Sequence, residues 1–206
     1  MIKDKFQLLV ATNNAGKIRE LEKLLVDLPV TLRILSEFPN SLEVEETGAT
    51  FVENAVLKAK DYAIQTKIWS LADDSGLEVE ALGGAPGVYS ARYAGENTGY
   101  VEKINKLLNE LEQTANRRAR FVCSMAIADT NGEIKFLAEG RCSGRIALNP
   151  RGTNGFGYDP IFIPDGFEQT FGELSEEIKQ EISHRGQAAK KIIQYLRDFY
   201  GVSVDY

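Results

Sequence analysis

The sequence predicts an α/β chain built on a mixed β-sheet, and three observations predict it. Short apolar runs alternate with amphipathic helical segments through the first half of the 206 residues. In the second half, Asn131-Gly132 lies between two strand-like stretches, Arg120–Asp129 and Glu133–Cys142. That dipeptide signals a type I′ hairpin, whose strands must be antiparallel. A sheet holding both helix-linked strands and a hairpin is mixed. No linker, repeat or low-complexity segment divides the chain, so it reads as one domain over residues 1–206, with room for two lobes.

The elements follow in order. Gln7–Ala11 is a short apolar run, read as a buried strand. After the polar turn at Thr12–Lys17, Ile18, Leu21, Leu24, Leu25 and Leu28 share one helical face. Leu32, Ile34 and Leu35 suggest a second strand, and Pro39–Gly48 an acidic loop. Thr50 and Glu53 have capping-box spacing and open a helix that presents Ala55, Ala59, Tyr62 and Ala63. A strand at Ile68–Ala72 ends in Asp73-Asp74-Ser75-Gly76. Gly83–Gly95 is a Gly/Pro-rich loop, after which Thr98 is placed to cap a helix with Val101, Ile104, Leu107, Leu108 and Leu111 inward. Beyond the hairpin come a Gly-rich loop at Gly152–Asp159, a short strand at Ile161–Ile163 and a short helix over Ser175–Glu181. A last helix runs from His184 to Tyr200, with Ala188, Ala189, Ile192, Ile193 and Leu196 inward and Gly201 as its stop.

Composition narrows the function. Hydrophobic residues make up 43% and charged residues 26%, the proportions of a globular protein. The formal net charge of −6 repels phosphate backbones, so general nucleic-acid binding is not expected. Cys123 and Cys142 are the two cysteines, without the spacing of a zinc site or a disulfide scaffold. The first residues lack the apolar core of a signal peptide and no later stretch is long enough to span a membrane, so a cytoplasmic location is expected.

Five segments carry candidate chemistry. Thr12-Asn13-Asn14-Ala15-Gly16-Lys17 lies where a strand meets a helix, and a helix N-terminus there offers N–H groups and a positive dipole to an anion. It lacks the P-loop pattern and reads equally well as a capped turn. Asp73 and Asp74 are adjacent in a strand, so their side chains point to opposite faces. One is free to bind a hard cation such as Mg²⁺, although a polar turn would use the same residues. In Glu45-Glu46-Thr47-Gly48 either glutamate could add a second ligand, or the segment is a solvated loop. Lys58 shares a helix face with Asn54. In Gly152–Pro160, Phe156 and Tyr158 between glycines could stack on a base or plug the core. In Ser183-His184-Arg185-Gly186, His184 is the one histidine of the chain and no nucleophile-elbow motif accompanies it. Arg185 could stack on a base or pair with phosphate, or both residues could simply be exposed beside a Ser183 cap.

Taken in order, these segments resemble the inosine triphosphate pyrophosphatase family, also called the dITP/XTP pyrophosphatases. The similarity runs through T-N-N-A-G-K-I-R-E-L, E-E-T-G-A-T-F-V-E-N-A, A-D-D-S-G-L-E-V, G-G-A-P-G-V-Y-S-A-R-Y, G-F-G-Y-D-P-I-F and S-H-R-G-Q-A, from residue 12 to residue 188. The resemblance implies a long curved mixed sheet with flanking helices forming two lobes around a central cleft. It implies Mg²⁺-dependent cleavage of ITP, dITP or XTP to the nucleoside monophosphate and pyrophosphate, by a homodimer. By position, Thr12, Asn13, Asn14, Ala15, Gly16 and Lys17 resemble the triphosphate turn. Asp74 resembles the catalytic acid and, with Glu45, the metal ligands. Lys58 and Ser75 resemble phosphate-side contacts. Phe156, Gly157, Tyr158, Asp159, Lys179, His184 and Arg185 resemble the base and sugar pocket. Selectivity would then rest on the purine 6-keto oxygen, since a donor aimed there is left unpaired against adenine, a discrimination of roughly 10⁴-fold. A nucleotide sensor would keep the phosphate turn and the aromatic loop but would not need Asp74 or Glu45. A pyrophosphatase of modified pyrimidine nucleotides would share the metal chemistry. A dehydrogenase would need the G-x-G-x-x-G fingerprint, which is missing.

Overall fold

Alternating parallel strands and helices open the chain. The computed structural model describes residues 6–95 and 97–200. Strand β1 (Phe6–Val10) leads into helix α1 (Ala15–Leu24) and returns in β2 (Val30–Ile34). Helix α2 (Phe51–Thr66) then leads to β3 (Trp69–Val79). β1 pairs in parallel with β2 (Leu8 opposite Leu32) and with β3 (Val10 opposite Leu71). Leu8, Leu9 and Val10 have no exposed surface, as expected of a parallel strand covered on both faces. Helix α3 (Tyr100–Glu110), strands β4 (Arg118–Ala128), β5 (Ile134–Ile146) and β6 (Phe162–Pro164), and helices α4 (Glu176–Ile182) and α5 (His184–Tyr200) complete the order. The sheet has six strands in the order β2-β1-β3-β4-β5-β6. β5 and β6 are antiparallel, and β4 and β5 are neighbours joined by a turn too short for a parallel crossover. The sheet is therefore mixed, as the sequence predicts.

The described chain divides into two compact units. The first takes the described residues up to Asp74, Ser124–Glu139, and those from Gln187 on. The second takes Ser75–Cys123 and Gly140–Gly186. Each has its own core. In the first, Ala55, Ala59, Tyr62 and Ala63 of α2 pack with Leu9, Ala72 and Ala126. In the second, Leu77, Leu107, Phe121, Phe162 and Phe171 are central. Burying one such side chain contributes roughly 1.5–3 kcal/mol. Cys123 and Cys142 are buried, in β4 and β5. Among the described residues, no helix is long and apolar enough to cross a membrane.

Local signals place most helix ends. The Thr50–Glu53 capping box forms: Thr50 Oγ1 accepts from the Glu53 N–H (3.3 Å), and Glu53 Oε2 accepts from the Thr50 N–H (3.1 Å). Ser175 caps α4, and Ser183 caps α5 by accepting from the Gly186 N–H (3.1 Å). The expected stop at Gly201 lies outside the described residues.

Five expectations are corrected. β3 does not end at Asp73-Asp74-Ser75-Gly76 but runs through it to Val79. Leu77 and Val79 are fully buried, and their alternation carries the strand past residues that look like a turn. Leu35 begins a 3₁₀ turn (Leu35–Glu37) rather than ending β2. The cap of α3 is Gly99, and Thr98 instead donates its hydroxyl to the Gly95 carbonyl (2.8 Å). Val101 is 68% exposed, because the buried stripe of α3 runs through Lys103, Ile104 and Leu107. Lys103 covers that stripe with its stem while its ammonium donates to the Thr98 carbonyl (2.7 Å). Finally, the hairpin turn is not type I′. Gly132 has φ +79° but Asn131 does not have positive φ, and the Gly132 N–H closes on the Asp129 carbonyl (2.8 Å). Asp129 Oδ1 also accepts from the Asn131 and Glu133 N–H groups, at 2.9 and 3.1 Å, so this carboxylate selects a longer loop with glycine last.

Candidate active site

The parallel strands bring the first group of residues level with one another. Because Val10 pairs with Leu71, Thr12 and Asp73 both follow just past the carboxyl end of β1. The turn Thr12–Lys17 is held by its own side chains. Thr12 Oγ1 accepts from the Asn14 N–H (3.2 Å), and Asn14 Oδ1 caps α1 by accepting from the Gly16 and Lys17 N–H groups (2.9 and 3.1 Å). Two of the donors expected to face an anion are thus taken by the cap. Asn13 and Ala15 are exposed beside them. Lys17 reaches across to Asp73, Nζ to Oδ2 at 3.1 Å.

Asp74 points the other way from its neighbour, toward α2. Asn54 Nδ2 donates to Asp74 Oδ2 at 3.0 Å, and Lys58 Nζ stands 3.6 Å from Asp74 Oδ1. Lys58 also pairs with Glu46 at 2.7 Å. Asn54 and Lys58 thus act together on one face of α2, as their spacing predicts. Glu45, the glutamate singled out by the resemblance, is exposed, while Glu46 is half-buried. Sequence reasoning gave Asn54 no role at the site and left Glu46 open. The signal available for Asn54 was its place one turn before Lys58.

The electrostatics are those of a crowded buried cluster. Burial pushes the Asp74 carboxyl above the usual aspartate range, with Glu46 adding to the rise and Lys58, Lys17 and the Asn54 hydrogen bond opposing it. Burial pulls the Lys58 ammonium down, but Asp74, Asp73 and Glu46 together outweigh it and leave it raised. Asp74 holds its proton to higher pH folded than unfolded. Its ionisation therefore costs stability, starting as pH rises through the ordinary aspartate range and persisting at neutrality. In EDTA, the stability of Asp74→Asn relative to wild type should rise as pH is raised through that range and level off above it. Urea unfolding at a series of pH values reads this, and a gap independent of pH would refute it.

The second unit holds the remaining group. Ser75 is the first residue of this unit, and its hydroxyl accepts from Arg185 Nη2 at 2.8 Å. Arg185 is 2% exposed and His184 is 4% exposed, so neither is a solvated residue beside a helix cap. The His184 ring stacks on Phe121 with centroids 4.6 Å apart. The half-buried Phe156 ring faces two cations, with Lys179 Nζ at 5.0 Å and the Arg185 guanidinium at 5.6 Å from its centroid. Asp159 Oδ2 accepts from Lys179 Nζ and from the Phe156 N–H (2.7 Å), closing the turn around Gly157. Tyr158 is inside the core, its hydroxyl donating to the Ser90 carbonyl at 3.1 Å. Of the two aromatics, Tyr158 is the core plug and Phe156 keeps part of its surface exposed.

Among the described residues, no group of three or more His, Cys, Asp or Glu could hold a metal by itself. Mg²⁺ is typically held by one or two carboxylates with substrate phosphates completing its shell, so a pair of acids is enough for it. The Asp74 carboxyl, buried and raised, is the kind of ligand whose charge a divalent cation would offset.

This α/β fold, with lysines and carboxylates gathered past the carboxyl end of β1, defines a protein equipped to handle a small polyanion. More narrowly, the chain belongs to the Ham1 family, whose model matches residues 8–195. It is 52% identical over 183 residues to a dITP/XTP pyrophosphatase of Nostoc sp., covering 88% of this chain and 89% of that protein. It is 45% identical over 197 residues to a dITP/XTP pyrophosphatase of Bacillus anthracis, covering 94% and 98%. Among solved structures it is similar to a HAM1 protein from Coxiella burnetii, with TM-score 0.86, 43% identity and 94% and 99% of the two chains covered. It is also similar to the Staphylococcus aureus Ham1 protein, with TM-score 0.83, 44% identity and the same coverage.

Proposed function

We propose that this chain is a pyrophosphatase of deaminated purine nucleoside triphosphates, converting ITP, dITP or XTP and water to the nucleoside monophosphate and pyrophosphate. The observation that carries the reading is the buried cluster in which Asp74 is held by Asn54 and Lys58 and Lys17 is held by Asp73. The names of the relatives supply the substrate class.

In this reading Thr12–Lys17 and Lys58 attend the phosphate chain, while Ser75, Phe156–Asp159, Lys179, His184 and Arg185 attend the sugar and base. Glu45 and Asp74 would hold Mg²⁺, which when bound would supply charge neutralisation for the phosphates and a more acidic water. Asp74 accepts the proton of the attacking water as its oxygen bonds to the α-phosphorus. The bond from that phosphorus to the bridging oxygen breaks, and pyrophosphate leaves with its charge offset by Lys17 and Lys58. Phe156 stacks on the purine. Lys179 and His184, together with backbone groups, are the candidate readers of the 6-keto oxygen. The protein works as a cytoplasmic homodimer and does not bind nucleic acid.

The test is pyrophosphate release from ITP and from ATP, each with Mg²⁺ and with EDTA, on protein whose mass in solution is read by light scattering. Fast release from ITP only, only with Mg²⁺, and from a dimer, is expected. Faster release from dUTP than from ITP would refute the substrate. Tight ITP binding without release would favour a nucleotide sensor.

A further inference from the structure

We propose that Asn54 is the positioning residue of the hydrolytic centre, its carboxamide clamping the Asp74 carboxylate on one side and the acidic loop on the other. The inference rests on the function proposed above. Asn54 has no exposed surface and closes the first turn of α2. Asparagine is a poor helix former and is costly to bury unless its polar atoms are bonded. Here both ends are bonded. Oδ1 accepts from the Gly48 N–H at 2.7 Å, and Nδ2 donates to Asp74 Oδ2 at 3.0 Å. The partners leave no choice of orientation, since only the oxygen can meet an N–H and only the nitrogen can meet a carboxylate.

Two consequences follow for the site. Lys58, one turn further along α2, stands at the other oxygen of Asp74, Oδ1. The two carboxylate oxygens are therefore held by two side chains of one rigid helix, and rotation of the carboxylate breaks at least one contact. The other end of the carboxamide fixes the backbone three residues beyond Glu45 and two beyond Glu46, the partner of Lys58. One side chain thus ties the proposed base to the loop that carries the second acid. Catalysis by positioned groups is sensitive to such ties, with a displacement of about 1 Å costing on the order of 100-fold in rate.

Two variants separate the clamp from simple support of the fold. Asn54→Leu removes both hydrogen bonds. Asn54→Asp keeps an acceptor for the Gly48 N–H but sets a carboxylate against Asp74. Each is assayed for kcat and KM of Mg²⁺-dependent ITP cleavage beside wild type, and for hydrogen exchange of the Gly48 amide. For Asn54→Leu we expect kcat lower by about 100-fold, KM within about threefold, and faster exchange at Gly48. For Asn54→Asp we expect a comparable loss of kcat with Gly48 still protected. A kcat within about threefold of wild type in Asn54→Asp, or in folded Asn54→Leu, overturns the clamp and leaves the proposed function standing. A folded wild type that does not cleave ITP overturns the proposed function, and the clamp falls with it.

Discussion

Replacing Asp74 with asparagine is expected to lower kcat for ITP cleavage by about 10²–10⁴-fold, the usual contribution of a positioned proton acceptor. The side chain keeps its size and an oxygen able to accept from Asn54 Nδ2, now 3.0 Å away. It loses the ability to take a proton from water. Lys58 keeps Glu46 as a partner at 2.7 Å, so its ammonium is not stranded. Burial already holds the Asp74 carboxyl above its usual range, so removing its charge relieves a cost at neutral pH. Tm should therefore be unchanged or higher, and nucleotide affinity, read by calorimetry, should stay within about threefold. Loss of activity with intact folding and binding would place Asp74 in the chemical step. Undiminished turnover would remove it from that step and would favour another of the buried acids.

Gly152→Ala is expected to cost about 3–5 kcal/mol of folding stability, the largest structural effect of any substitution argued for this chain. Gly152 has φ +76°, which a residue with a Cβ adopts at a cost of roughly 1–2 kcal/mol. Lack of space costs more. An added Cβ would lie 2.0 Å from the Gly172 carbonyl oxygen and 2.4 Å from the Glu173 nitrogen, both backbone atoms. The two segments are also bonded, since the Asn154 N–H donates to the Gly172 carbonyl at 2.9 Å. Neither can withdraw without breaking that link. Gly83→Ala is the control, with φ +63° and nothing within 4 Å of its added Cβ, and should cost about 1 kcal/mol. Urea unfolding of both variants measures the difference. Equal losses would mean that backbone conformation alone, and not the close approach, requires glycine at residue 152.

Much of the molecule is legible in the sequence because it is settled over a few residues. The Thr50–Glu53 box, the Ser183 cap and the apolar faces of α2 and α5 are contacts within one helical turn or repeats along one face. The mixed sheet follows from helix–strand alternation in the first half together with the hairpin at Asn131-Gly132. The opposed directions of Asp73 and Asp74 follow from strand geometry, and the structure sends one to Lys17 and the other to Asn54 and Lys58.

What only the tertiary structure decided involves residues distant in the chain. Asp73-Asp74-Ser75-Gly76 has the composition of a turn, yet it is strand, because β3 lies between β1 and β4 in the sheet. Val101 fits the spacing of the α3 stripe and is nevertheless exposed, because the direction in which a helix packs is set by its neighbours. Asn54 and Asp74 are 20 residues apart, and Arg185 and Ser75 are 110 apart. Buried polar groups must be bonded, but their partners are chosen by whichever elements the fold brings together. Spacing along the chain therefore determined which side chains could act, and packing determined which of them meet.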